Sequence, residues 1–285
     1  MTKPNVFACI DGSRSAAAVC DYAAWTSLQL EAPLTLMHVL DHSHAQQVTD
    51  LSGNIGLGSR EHLLNELAEL DARRAKLMRE QGQFLLEAAA DRIRAAGVTD
   101  PQTRQRHGGL TNTLLELEAE IRLLVIGRQG EAGETLGSHV GSHLESVVRT
   151  MHRPILVAAG DFKRPASAML AFDNSATTRK GVEMLAESPL FAGMPVHLVM
   201  VAADTKDHQE AMSTARQRLE QAGFEVHGVI RAGEVDQVLL DYQTEYGVDM
   251  LVMGAYGHSR IRQFFVGSTT TQLLRKATGP VLLLR

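Results

Sequence analysis

The sequence predicts an α/β protein of two tandem doubly wound units. Three observations carry that expectation. The chain reads twice, each reading alternates short apolar runs with helical patterns, and each contains a glycine-rich loop between an apolar run and a helix. "VFACIDGS" from Val6 resembles "AMLAFDNS" from Ala168, and "LTLMHVLD" from Leu34 resembles "VHLVMVAAD" from Val196. "LLVIGRQG" from Leu123 resembles "MLVMGAYG" from Met250, and "HRPILVAA" from His152 resembles "TGPVLLLR" from Thr278. Asp11 and Asp173 stand 162 positions apart, as do Val39 and Val201, whereas Gly127 and Gly254 stand only 127 apart. The first half therefore carries 35 extra residues between its second and fourth strands.

In the second half, strands fit near Ala168–Phe172, Val196–Val201, Glu225–Ile230, Leu251–Gly254 and Val281–Leu284. Helical periodicity fills Thr177–Glu187, His208–Ala222, Val235–Glu245 and Thr269–Lys276. The strands are continuously apolar rather than alternating, as expected when helices cover both faces of a parallel sheet. In the first half the added residues lie between Ser52 and Gly97. Their glycine-rich start reads as a loop. Leu63, Leu67, Leu70 and Leu77 then form an apolar helical stripe amid charges, for which packing against the body is expected and a dimer-forming surface is the alternative. The units are placed at 1–160, with the helical insertion over about 42–97, and at 161–285, joined by the linker "GDFKRP" from Gly160 to Pro165.

Composition narrows the classes. The 285 residues are 44% hydrophobic and 21% charged, with a net charge of -5 and no basic stripe, which argues against nucleic acid and anionic membrane as partners. No apolar run is long enough to span a bilayer, and the start "MTKPNVFACIDGS" lacks the pattern of a signal peptide. Cys9 and Cys20, the two cysteines, read as reduced, buried thiols, and the expected location is cytoplasmic. Trp25 and Cys20 are expected to pack on the first helix.

The glycine loops carry the chemistry. An open α/β sheet takes ligands at the carboxyl ends of its strands, where strand order changes direction. Gly127 and Gly254 sit at such ends, where the absence of a Cβ admits a ligand to the backbone. Gly267-Ser268 precedes the helical run "TTTQLLRKA", and Gly141-Ser142 precedes "HLESVVRTM". Free N–H groups and the helix dipole suit that position to phosphate, with Ser268 and Thr269 adding hydroxyl donors. Loop glycines that only make turns are the alternative, and the repetition of the strand–glycine–helix arrangement favours phosphate. Neither loop is a Walker motif or a GxGxxG fingerprint. Asp11 and Asp173 close the first strand of each half. A carboxylate there suits ribose hydroxyls, or it caps the following helix beside Ser13 or Ser175, and both readings stand.

The full set resembles the universal stress protein family. Its nucleotide-binding members carry G-x2-G-x9-G-[ST] after the fourth strand, matched here by Gly254, Gly257, Gly267 and Ser268. They also carry an Asp closing the first strand and a Val in the second, matched by Asp173 with Val201 and by Asp11 with Val39. The resemblance covers nearly the whole chain. It implies Rossmann-like domains with five-stranded parallel sheets, and an adenine nucleotide, usually ATP with or without Mg²⁺, at the strand ends. It also implies pairing of the two last strands, within one tandem chain as a pseudo-dimer. Two chains can associate further as a homodimer, and protein partners are unspecified.

In such proteins the Val backbone meets adenine, the Asp meets adenine or ribose, the first glycine lies by the ribose, and the later glycines and Ser hold phosphates. Met253 and Thr269 flank the second motif, and Ile126, Gly127, Gly130, Gly141 and Ser142 form its first-half counterpart. That first loop has ten residues rather than nine between Gly130 and Gly141, and it carries Glu131 and Glu134. The second carries His258, Arg260 and Arg262, which can attract phosphate or stand solvated, so the second site ranks above the first.

No catalytic residue is assigned. There is no GxSxG elbow or SGGxDS-type loop, and the histidines, including His139 with His143 and His42 with His44, show no recognised metal spacing. The expected role is a nucleotide-dependent regulator or scaffold in the stress response. A nucleotide-independent tandem scaffold, or slow ATP hydrolysis or self-phosphorylation, is the alternative.

Overall fold

Short runs of β-branched and aliphatic residues dominate the strands, and each is long enough to cross one layer of a sheet and no longer. A computed structural model describes residues 4–40, 57–130, 142–255 and 268–285. The first half contains β1 (Asn5–Cys9), α1 (Ala16–Leu30), β2 (Leu34–Leu40), α2 (Leu57–Ala95), β3 (Gln102–His107), α3 (Leu110–Glu116), β4 (Ile121–Gly127), α4 (Ser142–Thr150) and β5 (Ile155–Ala158). The second contains β6 (Ala168–Ala171), α5 (Ala176–Glu187), β7 (Val196–Val201), α6 (Lys206–Gln221), β8 (Val226–Arg231), α7 (Val235–Tyr246), β9 (Met250–Gly254), α8 (Ser268–Lys276) and β10 (Val281–Leu284). The second-half elements fall within one or two residues of the periodicity-based expectation.

The ten strands of the described residues form one sheet in the order β3-β2-β1-β4-β5-β10-β9-β6-β7-β8. Pairing is parallel within each half. The halves meet through an antiparallel ladder that sets Val281 against Val157, Leu282 against Leu156 and Leu283 against Ile155.

Two apolar layers sandwich this sheet, and each runs through both halves. One holds the inward faces of α1, α2, α5 and α6, with Val6, Ala8, Leu170 and Leu282 from the strands. The other holds α3, α4, α7 and α8, with Phe7, Met169 and Leu283. Alternate strand residues thus feed opposite layers, which is why both sets must be apolar. The connecting segment is pinned as well. Lys163 Nζ lies 2.6 Å from Asp249 Oδ1, the Ala166 N–H donates to Asp249 Oδ2 at 2.9 Å, and the Phe162 ring meets Tyr22 edge-on at 4.9 Å.

Cys20 and Trp25 are buried in the α1 layer as expected. Cys9, expected to be buried like Cys20, is half-buried at the end of β1. Burial of its thiol, with the Asp11 charge adding, pushes it up to about 12, and burial pushes the Cys20 thiol up to about 11, so both stay protonated at neutral pH.

Two further expectations need correction. Leu57 and Gly58, expected in a loop, already belong to α2. Of the leucine stripe, the Leu63 side chain lies outside the described residues and the other three do not pack on the body. Leu67, Leu70 and Leu77 are 45%, 60% and 65% exposed. Only the later part of α2 reaches the sheet, through Leu86, Ala89, Ala90 and Ile93, on nearly the opposite side of the helix. Gly82 allows that approach, since a Cβ there would stand 2.1 Å from Gln105 Nε2 and 2.6 Å from the buried His38 ring.

Candidate functional site

In each half the strand order reverses beside the first strand. β1 lies between β2 and β4, and β6 lies between β7 and β9. From β1 the chain crosses to the α1 layer, while after β4 it enters the layer of α4. The two exits diverge and leave a crevice at the carboxyl ends, and the same holds for β6 and β9.

In the first half the exit of β1 is an Asx turn. Asp11 Oδ1 accepts from the Ser13 N–H at 3.1 Å and from the Ser13 hydroxyl, and the Ser13 hydroxyl meets that of Ser15 at 2.8 Å. Ser15 Oγ donates to the carbonyl of Gln129 at 3.1 Å, which ties the β1 exit to the turn after β4. Two glycines make this contact sterically feasible. A Cβ on Gly127 would stand 2.3 Å from Ser15 Oγ, and one on Gly130 would stand 3.3 Å from Asp11 Oδ2. The carboxylate therefore faces the backbone of the glycine turn.

The second half is built on the same plan with other side chains. Asn174 takes a left-handed conformation, φ 58°, after Asp173. Ser175 caps α5 by accepting from the Thr178 N–H, and Asp173 Oδ1 accepts from the Ser175 N–H at 3.0 Å and the Thr178 hydroxyl at 2.8 Å. Here the aspartate supports a helix start, while its side chain stays exposed. A Cβ on Gly254 would stand 3.3 Å from Thr177 Cγ2, so β9 leaves the sheet against the first turn of α5.

Val39 and Val201 sit near the ends of β2 and β7, half-buried against the second apolar layer, and they pair with Arg106 and Arg231 respectively. Ile126 and Met253 turn their side chains into that layer, which leaves their backbones for any contact at the strand ends. Ser142 and Ser268 are the first residues of α4 and α8, and Thr269 follows half-buried. Gly141, Gly257 and Gly267 lie outside the described residues, as do Glu131, Glu134, His258, Arg260 and Arg262. Among the described residues no cluster of three or more His, Cys, Asp or Glu could hold a metal ion. No described helix is long and apolar enough to cross a membrane.

Sequence reasoning missed two arginines at this level. Arg128, inside the first glycine turn, reaches across the junction and donates to the carbonyls of Arg275 at 3.2 Å and Ala277 at 3.0 Å, at the end of α8. Arg285 Nε donates to the carbonyl of Met151 at 2.5 Å, just past α4, and its Nη1 donates to Ala255 at 3.4 Å, just past β9. Each glycine turn is thus tethered to the far end of the other half's α4-type helix. Nothing in the local pattern signals this, because the partners are backbone carbonyls, 30 positions away for Ala255 and 134 to 149 for the others. Ser15 was missed for the same reason, its partner being a carbonyl 114 positions away.

Comparison with known proteins agrees with this architecture. The model of the "Universal stress protein family" matches residues 4–159 and again 167–285. The chain is 34% identical over 285 residues to the universal stress protein Slr1230 of Synechocystis, covering 99% of both chains. A universal stress protein of Mycolicibacterium smegmatis is 24% identical over 311 residues, with 100% of this chain and 98% of that protein covered. Among solved structures, a universal stress protein from Archaeoglobus fulgidus superposes with a TM-score of 0.72 at 17% identity, over 99% of this chain and 96% of that one.

Proposed function

The chain belongs to the universal stress protein family, and from that membership we propose that it is a cytoplasmic stress-response protein that holds an adenine nucleotide, ATP, at its strand ends and acts as a nucleotide-dependent regulator or scaffold. One observation carries the proposal. Both halves place an aspartate-bearing strand exit beside a strand that ends on glycine, at the reversal of strand order, with a helix beginning on serine beyond it. That combination offers a carboxylate for hydroxyls and, at the helix start, N–H groups for phosphate.

The residues present fit such a ligand. Asp173, Val201, Gly254, Gly257, Gly267, Ser268 and Thr269 would hold it in the second half, with the backbone at Met253. Asp11, Val39, Gly127, Gly130, Gly141 and Ser142 would do so in the first, with the backbone at Ile126. A Mg²⁺ ion would travel with the phosphates rather than with a protein cage. We rank the second site higher, on its complete spacing and the basic residues of its loop.

A second reading applies to the first half. There Ser15 already occupies the space before Gly127, and Asp11, Ser13, Ser15 and Gln129 bond to one another. Polar groups satisfied in this way favour a structural, nucleotide-independent turn.

The test begins with the native protein. It is purified and denatured, and any released nucleotide is identified by absorbance and chromatography. Asp173→Asn keeps the acceptor for Ser175 and Thr178 while removing the charge, and Gly257→Val blocks the second motif. Loss of nucleotide in both variants is the expected result. Nucleotide-free native protein with no thermal shift on adding Mg-ATP would sink the proposal, and full occupancy in both variants would overturn the ranking of the sites.

A further inference from the structure

The extra helix of the first half has a free side. α2 runs 39 residues, about 58 Å at the rise of an α-helix. Its later turns rest on the sheet, yet no described side chain between Leu64 and Gln81 is buried. Along the side turned away from the sheet stand Leu67, Leu70, Leu77 and Phe84, the last 70% exposed. Soluble monomers rarely leave a contiguous apolar strip of this kind uncovered.

The spacing says what covers it. Leu67, Leu70, Arg74, Leu77, Gln81 and Phe84 follow the alternating steps of three and four that keep one seam facing a second helix. A shallow groove is already lined by Leu77, Glu80, Gln81, Phe84 and Leu85. The first four stand at i, i+3, i+4 and i+7, the set of four that forms a hole for one side chain of a facing helix.

We propose that this seam is a dimerisation surface, taken by α2 of a second copy running antiparallel about a two-fold axis. Charge decides the direction. A parallel, in-register pair would set Arg74 against Arg74 of the second copy and Glu66 against Asp71 of the second copy. The antiparallel pair centred between Arg74 and Leu77 sets Leu67 opposite Phe84 of the second copy and Leu70 opposite Gln81. It places Arg73 beside Glu80 of the second copy, an ion pair that the two-fold axis makes twice. That pair offsets the like charges at the ends of the seam, where Glu66 meets Glu87 of the second copy, whereas the parallel pair has no such offset. The proposal uses none of the strand-end residues, so it stands or falls apart from nucleotide binding.

The test is the mass of the full chain in solution, by sedimentation equilibrium across the micromolar range. A dimer is expected. Leu70→Glu with Leu77→Glu is expected to weaken it on the order of 100-fold or more, with an unchanged circular dichroism spectrum, because both side chains are exposed. Arg73→Glu alone is expected to weaken the dimer, and adding Glu80→Arg to restore it. A monomeric wild-type chain at about 100 μM, a concentration far above the dissociation constant of a specific interface, would overturn the proposal and give the seam another cover, such as residues 41–56 of the same chain. A dimer that survives the double glutamate variant would place the interface elsewhere. Failure of the charge reversal to rescue would overturn the antiparallel register.

Discussion

Replacing Arg128 by alanine removes a tether between the two halves without touching either apolar layer. The guanidinium makes two charge-assisted bonds to main-chain carbonyls, at 3.2 Å to Arg275 and 3.0 Å to Ala277, where α8 leaves its last carbonyls without intrahelical partners. The first bond is exposed and the second partly buried. Hydrogen bonds to charged groups contribute about 1.5–3 kcal/mol when shielded, and solvent trims the exposed one to a few tenths. The cation also complements the negative end of the α8 dipole, worth about 0.3–1 kcal/mol. Together these give about 1–2 kcal/mol after discounting for exposure, or a fall of roughly 2–6 °C in the melting midpoint of a chain this size. Differential scanning calorimetry on wild type and Arg128→Ala reads the shift directly. An unchanged midpoint would refute the reasoning, because it would mean that water caps α8 as well as the arginine does.

Three further outcomes follow from the packing. Gly279→Ala places a Cβ 2.1 Å from the main-chain oxygen of Asp249, which cannot swing aside, so a loss of about 3 kcal/mol or more is expected in a urea titration. Gly82→Ala gains about 1 kcal/mol of helix propensity but drives a methyl into Gln105 and the buried His38 ring, which is held by the Ile10 carbonyl at 2.7 Å. A net loss of about 1–2 kcal/mol is expected, and a neutral urea midpoint would show that α2 can lift off the sheet freely. His197 packs beside Tyr242, with its Nδ1 2.9 Å from the phenol oxygen. Burial, with His227 nearby, holds its pKa below the usual value of 6.5, while Glu225 opposes the shift. As pH falls through 6.5 the unfolded chain takes up a proton that the folded chain resists, so stability declines below that pH and the contribution is constant above it. Comparing urea midpoints at about pH 7.5 and pH 5, His197→Gln should show the smaller decline, and an equal decline would assign the pH dependence to other groups.

What could be read from the sequence follows from which forces are local. The inner strands of the second half, β6, β7, β9 and β10, were legible because each is buried on both faces, so its composition alone marks it, whereas β8, an edge strand with His227 and Gly228 exposed, was marked by Val226, Val229 and Ile230 alone. β3 was not legible. "QTRQRH" lies at the sheet edge, holds no aliphatic side chain, and is a strand only because β2 supplies its hydrogen bonds. The leucine stripe of α2 was visible as a pattern, but periodicity reveals that a face is apolar and not what covers it. At the candidate site, Asp11, Asp173 and the glycines were legible because turn chemistry restricts residue type. Arg128, Arg285 and Ser15 were not, because a main-chain carbonyl leaves no mark on the identity of the residue that offers it.

The antiparallel junction has a consequence for growth of the sheet. By pairing β5 with β10, the chain consumes the inner rim of both halves and leaves two outer rims, β3 and β8. Arg104, Arg106 and His107 line one rim, and His227 and Arg231 the other. Arg104 is held by Glu120, Arg231 by Glu245 and His227 by Glu225, and such charged, paired side chains on a rim discourage a foreign strand from docking. Among the described residues the sheet thus presents charged rims at both ends, which favours the helical faces over the sheet edges for contacts with another copy.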